Sequence, residues 1–383
     1  MLSTAEKITG KSIHVNTLCE NIHEERTVLL GTIVYSIVLS YQQDRLTGDV
    51  GPRYSRSETV ASFCCPRCDG RHFTRKGKRH RCYRSVLGKI RLPIVQVQCS
   101  VCGCRFCPYK DQIGLAFTDR ISPTLKRRQL ELTCQISYNK ARAFVESCLG
   151  ISCSGWTIRK EIDKEAEEIR GKPVTAKDEI VYHDSTKVPA GTKERGVPIH
   201  LAVASTPGTK RHRRKRLLFL RTGSAKQIKK SLKALKAKGI VHDGDMDLSG
   251  CAQWVQRCLW HLVHQLKHFL WQDNLPIEQR APYVKELIGI LHRSPNVKEM
   301  KGTYRSFIQK LKLNGLIQSA VHLRNAEPEI ATFREHGIVG YTTSPVEREM
   351  REINRRVDIG VRWSVPGVEN LLLVKMHRAM NDP

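Results

Sequence analysis

Ile180-Val181-Tyr182-His183-Asp184-Ser185-Thr186 and, about sixty residues further on, Gly239-Ile240-Val241-His242-Asp243-Gly244 are the stretches that decide the fold. In each, a short apolar run delivers an aspartate to what reads as a strand end. Ile199-His200-Leu201-Ala202-Val203 and Leu217-Leu218-Phe219-Leu220 supply two strands between them, and Ala225–Lys238 supplies a helix. Three strands, a helix and a fourth strand make an α/β pattern. From 249 to about 336 the pattern is almost entirely helical, and a last helical region runs from Ser344 towards the C-terminus.

Upstream, residues 1–43 read as helical, and 44–60, with Gly48, Gly51 and Pro52, as a linker. Residues 61–112 form a basic, Cys-rich unit, and 118–172 a helical one closed by Gly171-Lys172-Pro173. The expected organisation is therefore a helical segment with linker (1–60), a small metal-binding unit (61–112), a helical module (118–172) and an α/β domain (178–383) with a helical insertion at about 249–336.

The chain has 383 residues and a formal net charge of +28, with 65 Lys and Arg against 37 Asp and Glu. Such an excess favours a polyanionic partner, nucleic acid before membrane. The longest apolar stretch, Val28 to Tyr41, is broken by Thr32, Ser36 and Ser40 and falls short of the roughly 20 residues a bilayer needs. No basic region leads into an apolar one near the start, so neither a membrane nor a secreted protein is expected. A cytoplasmic, nucleoid-associated location is expected instead.

Eight of the 14 cysteines lie between Cys64 and Cys107. Cys65-Pro-Arg-Cys68 and Cys99-Ser-Val-Cys102 are two CxxC pairs separated by 30 residues. Each pair sets two thiolates on one tight turn, and two turns complete the four sulfur ligands of one structural zinc ion. Strand-like residues between them (Ile90, Leu92, Ile94, Val95, Val97) make the unit a zinc ribbon. Cys104 and Cys107 form a third CxxC and an alternative second pair; Gly103, following Cys102 as Asp69-Gly70 follow Cys68, favours Cys99 and Cys102. With twelve Lys or Arg and two Asp, this unit is expected to touch phosphates.

Ser137–Val145 begins a helix, Gly150-Ile151-Ser152 makes a turn, and Ser154-Gly155-Trp156-Thr157-Ile158-Arg159 starts a second helix. This is the helix-turn-helix layout, whose second helix, carrying Arg159, can enter the major groove; an ordinary helical hairpin has the same pattern. A further basic run, Lys210-Arg211-His212-Arg213-Arg214-Lys215-Arg216, sits where a hairpin would join two strands and is a candidate phosphate contact.

Asp184 and Asp243, as a pair in a basic chain, suggest carboxylates bridged by divalent cations for phosphodiester chemistry; singly, each has the simpler reading of a turn or cap residue. In Thr343-Ser344-Pro345-Val346-Glu347-Arg348-Glu349-Met350, Ser344 and Glu347 have capping-box spacing and Pro345 suits the first helical position. Val346, Met350, Ile353 and Val357 define the apolar face, and Glu347 and Glu349 flank it at about 90° and 70° on opposite sides. The residues alone do not choose between a cap and a ligand at Glu347.

Taken in order, His183-Asp184-Ser185-Thr186, Val241-His242-Asp243-Gly244, Arg257-Cys258-Leu259-Trp260-His261 and Thr343-Ser344-Pro345-Val346-Glu347-Arg348 resemble the Mutator-type DDE transposases of insertion sequences over about 178–378. The resemblance implies an RNase H-like catalytic domain, with one aspartate on its first strand and another after its fourth. A helical insertion carrying Cys-x-x-His follows, then a glutamate on a late helix. Carried over, Asp184, Asp243 and Glu347 match the metal-binding triad, and Cys258 and His261 the insertion motif, in a supporting role. Asp245 and Asp247 compete with Asp243, but Gly244 fits the family's Asp-Gly. The activity implied is cleavage at element ends and strand transfer into target DNA. It would use two Mg²⁺ per active site, replaceable by Mn²⁺, on double-stranded DNA, in a homo-oligomeric complex. The heavily basic 210–216 run and the Cys-rich front end depart from the family pattern. A domesticated, non-catalytic DNA-binding regulator and an RNase H-fold structure-selective nuclease are the alternatives.

Overall fold

Val181, Ala202, Ala204, Leu218 and Ile240 meet Ile228 and Leu232 of a covering helix in one buried cluster, and this packing draws the strands into a five-stranded sheet. The computed structural model describes residues 15–51, 60–113, 120–192, 196–205, 215–338, 340–359 and 362–381. It is a mixed α/β structure in two units, Met1–Glu161 and Ile162–Pro383.

In the first unit, helix α1 (Val15–Val50) lies along a three-stranded sheet of β1 (Phe73–Ser85), β2 (Gly88–Cys99) and β3 (Arg105–Phe106), all antiparallel. Two apolar clusters form on β2: Ile90, Leu92 and Ile94 with Val34 and Val38, and Val95, Val97 and Cys99 with Leu46 and Val50. The buried Gln42 amide donates to the Pro93 carbonyl (2.8 Å) and accepts from Val95 N–H (3.0 Å), fastening α1 to β2. The expected linker is thus partly helix. Asp44–Val50 form the last turns of α1 because Leu46 and Val50 are buried, and Asp49 accepts from Tyr109 Oη (2.6 Å) and Ser62 N–H (2.9 Å). Residues 52–59 of that linker lie outside the described residues.

Helices α2 (Pro123–Gln135), α3 (Tyr138–Leu149) and α4 (Gly155–Gly171) follow. Ser137 caps α3, Gly150 closes it in the left-handed region (φ 65°), and Ser154 Oγ accepts from Thr157 N–H to start α4. Buried Gln129 holds the turn by exchanging two hydrogen bonds with the Cys153 backbone (2.8 and 2.7 Å). The helix, turn and helix expected here are present; the border between units falls within α4, earlier than the expected break near 172–178.

In the second unit the sheet order is β6 (Lys215–Thr222), β5 (Val197–Ser205), β4 (Ile180–Val188), β7 (Gly239–His242), β8 (Trp254–Arg257). β4, β5 and β6 are antiparallel, whereas β7 and β8 run parallel to β4. Helix α5 (Ala225–Ala234), with a complete Ser224/Gln227 capping box, leads into β7; it ends four residues before the expected Lys238. Strand β8 interrupts the stretch expected to be helical from 249. Its buried Gln256 accepts from Phe333 N–H (2.7 Å), and the Val255 carbonyl accepts from Thr332 Oγ1 (2.9 Å), so this short, polar strand is satisfied by distant chain.

Helices α6 (Leu259–Gln272), α7 (Ile277–Arg293), α8 (Val297–Leu313), α9 (Ile317–Ala326) and α10 (Thr332–Glu335) then pack around Leu262, Leu266, Leu287, Tyr304 and Phe307. Helix α11 (Ser344–Val357) buries Val346, Met350, Ile353 and Val357, the face expected from their spacing, and α12 (Val365–Met380) ends the described chain. No helix among the described residues is long and apolar enough to cross a membrane.

Gly239 is paired in register with Trp254, and a Cβ there would sit 2.0 Å from the indole ring. Gly239→Ala should therefore push the β7–β8 pair apart and lower the unfolding free energy by about 1–3 kcal/mol in urea titration, the usual cost of overpacking.

Candidate metal centre and carboxylate cluster

Cys65, Cys68, Cys99 and Cys102 bring their sulfur atoms within 4.8 Å of one another. The Cys65–Cys102 and Cys68–Cys99 separations are both 3.6 Å, close to the edge of about 3.8 Å that Zn–S bonds of about 2.3 Å give a tetrahedron. The two turns are built alike. Cys65 O accepts from Asp69 N–H (3.0 Å) and Cys65 N–H donates to Gly70 O (2.9 Å); Cys99 O accepts from Gly103 N–H (3.0 Å) and Cys99 N–H donates to Cys104 O (2.9 Å). Asp69 (φ 54°) and Gly103 (φ 70°) occupy the same left-handed position. Gly70 is needed because a Cβ would lie 3.3 Å from Cys99 Sγ.

Burial opposes ionisation of Cys65, but the Arg67 and Cys68 amides outweigh it and hold the thiol down to about 7. The Cys102 amide does the same for Cys99, again against burial. Despite the Gly70 amide, Cys102 and burial push Cys68 up to about 12; it is the gathering of the four sulfurs that lets these cysteines hold a structural metal such as zinc. Cys104 and Cys107 stand outside the cluster, packed against the two apolar cores of the ribbon.

Of the residues expected to meet DNA, Arg159 is exposed on α4, beside Trp156, whose ring carries Lys160 Nζ at 4.0 Å. Lys210, Arg211, Arg213 and Arg214 lie outside the described residues. Lys215 pairs with Glu349 (2.7 Å) and Arg216 with Glu179, so both are bound within the fold.

Asp184 is not at a strand end as expected. It sits in the middle of β4, with four more strand residues, 185–188, after it. Asp243 directly follows β7, and because β4 and β7 pair in parallel as far as His183 and His242, the next residue on each strand is an aspartate. Both are buried, at 7% and 4% exposure, and their side chains share a hydrogen bond. Burial, and then the neighbouring Asp243 charge, push Asp184 up to about 7. Asp243 is held low despite its burial, by the Asp245 amide at 3.1 Å and by the nearby histidines. The two carboxyls therefore titrate as a pair rather than independently.

Asp245 joins this cluster, accepting from Ser185 Oγ (3.2 Å), whereas Asp247 faces outward and pairs with Lys229 (2.8 Å). Gly244, between Asp243 and Asp245, has φ 99°, and a Cβ there would lie 1.4 Å from Arg257 Nη1. The positive φ favours glycine here, and a larger residue would also have to displace the Arg257 guanidinium.

Cys258 and His261 lock the start of α6 to the start of α11. Thr343 N–H and Oγ1 lie 3.3 and 3.4 Å from Cys258 Sγ, and Thr343 Oγ1 is 3.1 Å from His261 Nδ1. His261 Nε2 lies 4.0 Å from Glu347 Oε1. Burial works against the imidazolium, but Cys258, Asp184 and Asp243 outweigh it and raise His261 to about 9. Among the described residues, only the four ribbon cysteines gather as a group of three or more metal-binding side chains within 4.8 Å. Asp184, Asp243 and Glu347 do not form such a group, and the neighbour of Glu347 is His261.

The expected Ser344–Glu347 capping box is not formed. Thr343 is the N-cap and is turned inward to Cys258 and His261, so the helix begins one residue earlier than that box requires; Ser344 Oγ meets Thr342 Oγ1 instead (2.8 Å). Glu349, on the opposite flank, is tied to Lys215. Glu329, which no motif marks, lies behind the cluster and meets both His242 Nε2 and Arg257 Nε at 3.1 Å. Only its distant packing could reveal it.

No protein-family model matches the chain, and no curated protein matches it.

Cys65→Ser or Cys99→Ser should abolish stoichiometric zinc in metal analysis of the purified protein and lower its melting temperature, while Cys107→Ser keeps both. A carboxyl raised from its usual range to about 7 binds its proton more tightly folded than unfolded, so this group's contribution to stability falls as pH rises from about 4 through 7. Asp184→Asn should remove that fall and, in EDTA at pH 8, raise the unfolding free energy by about 1–2 kcal/mol.

Proposed function

We propose that this protein is a DDE-type transposase that cuts and rejoins DNA, with Asp184, Asp243 and Glu347 as its acidic triad. The observation that carries the reading is the pair of buried carboxylates, held side by side on parallel strands. Burying them together costs stability, which a protein that only bound DNA would have no reason to accept. Asp184 on the first strand of this sheet and Asp243 after the fourth are the placements the transposase resemblance implies, and they support an RNase H-like reading of the domain. The helices from 259 to 335 correspond to the implied insertion.

The donor set is all oxygen, two carboxylates at the bottom of a polar cluster and a third on the adjoining helix, which suits Mg²⁺ or Mn²⁺. When bound, such ions would neutralise the attacking and leaving oxygens of a phosphodiester. Asp184 and Asp243 would hold them, with Glu347 completing the set from α11. His261 keeps Glu347 within reach and offsets the acidic charge, and Cys258 and Thr343 fix the imidazole. The ribbon's exposed basic strand β1 and the α4 face with Arg159 and Lys160 would grip the phosphate backbone of duplex DNA. We propose a homo-oligomer as the active assembly, since two element ends must be processed together.

With a duplex carrying the element's terminal repeats and Mg²⁺, Glu347→Gln should lower cleavage and joining by about 10²-fold or more while DNA binding persists. Because Glu347 is not a cap, its stability should change by less than about 0.5 kcal/mol. Glu349→Gln loses the Lys215 ion pair and should still cleave. Normal cleavage by Glu347→Gln would remove the third ligand from this reading.

A further inference from the structure

Helix α6 carries residues of three kinds. Leu259, Leu262, Leu266 and Leu270 face the helical core, while the N-cap Cys258 and His261 meet Thr343, with His261 also next to Glu347. The remaining face is exposed and aromatic. Trp260 and Trp271 are 52% and 57% exposed, among the largest apolar exposures of this unit. Each has an imidazole beside it: His264 stacks on Trp260 (centroids 5.0 Å, planes 4° apart), and His268 lies against Trp271 (5.4 Å, 32°).

At about 100° per residue, Trp260, His264, Lys267, His268 and Trp271 fall within roughly 100° of one another around the helix, so they form one row. The row is about 16 Å long at 1.5 Å per residue, the length of roughly five stacked nucleotides. Even with these imidazoles against them, both indoles stay more than half exposed, which is costly in water. Three features identify its occupant. Leu259–Gln272 contains no acidic residue and presents Lys267 among the rings, in a chain of net charge +28. The rings are interrupted by imidazoles, lysine and Gln272, which spoils them for an apolar protein surface but suits bases joined by phosphates. The row also runs directly into the candidate site, since Trp260 meets His261 edge-on (4.8 Å, 83°), and His261 is the neighbour of Glu347.

We propose that this outer face of α6 binds a single-stranded stretch of DNA by stacking its unpaired bases on Trp260 and Trp271, with Lys267 on the phosphates. The binding site stands on the row itself; that it feeds the strand to the carboxylates rests on the transposase reading.

The test is fluorescence polarisation of a labelled twelve-nucleotide oligothymidylate, and of a labelled duplex of equal length, with the full chain at fixed salt. Trp260→Ala and Trp271→Ala should each weaken single-strand binding about tenfold, with duplex binding changed less than about twofold. Trp260→Phe with Trp271→Phe, which keeps the flat faces, should restore most of the affinity. Unchanged single-strand binding in the double alanine variant, equal weakening on the duplex, or tighter binding of the matching ribonucleotide strand would each overturn the assignment. The readout is binding to a strand too short and unpaired to be cut. Failure of the row therefore leaves the catalytic reading standing, and loss of cleavage in carboxylate variants is a separate result.

Discussion

Two carboxylates that cannot both ionise comfortably are the constraint around which the second unit is arranged. Asp184 and Asp243 are brought together by ordinary parallel pairing of β4 and β7, which places consecutive residues of the two strands in register. Everything around them works against the resulting cost. The Asp245 amide turns back onto Asp243, and His261 supplies a cation from α6. Arg257 passes over Gly244 and is held, together with His242, by Glu329. An arrangement that costs stability and recruits this many supports is what the proposed catalytic reading calls for.

What the sequence revealed, it revealed where interactions are local. The strands β4, β5, β6 and β7 carry continuous apolar runs, and the cysteine turns repeat one local hydrogen-bond pattern, so both could be read directly. Strand β8 could not, because Gln256 and Arg257 look like solvent residues until Phe333 and Glu329, more than seventy positions later, satisfy them. The end of α1 was hidden for a similar reason: Gly48 and Gly51 suggest a linker, whereas the burial of Leu46 and Val50 against the ribbon extends the helix. At Glu347 a local rule misled. Capping-box spacing is present, but Thr343 is drawn away to Cys258 and His261, and tertiary contact decides where the helix starts.

The two candidate metal sites differ in the way their donors require. The ribbon offers four sulfurs at tetrahedral spacing, with amides directed at the thiols and no position left open, the form of a structural site. Its β-strands enclose small cores, so a metal would contribute much of the stability of that region. The carboxylate cluster offers hard oxygen donors, is part buried and part accessible through Glu347, and is incomplete as a closed shell. A soft closed site and a hard open one in the same chain do not compete for the same ion, so in the proposed reading one metal would maintain structure while another took part in chemistry.

Helix α6 ties these considerations to recognition. Its leucines fix it in the helical core, and Cys258 with His261 fix its first turn against α11. With both constraints in place, neither rotation nor sliding is left to it, because a turn of 100° would bury Trp260 and expose Leu259. The positions of the outer rings relative to the carboxylates are therefore set by core packing rather than by any contact among the rings themselves. A site that must act at one phosphodiester needs its strand held in fixed register with the acidic groups, within a fraction of an ångström of the reacting geometry. A single helix that is core on one face, site on another and aromatic on the third meets that need with no moving part.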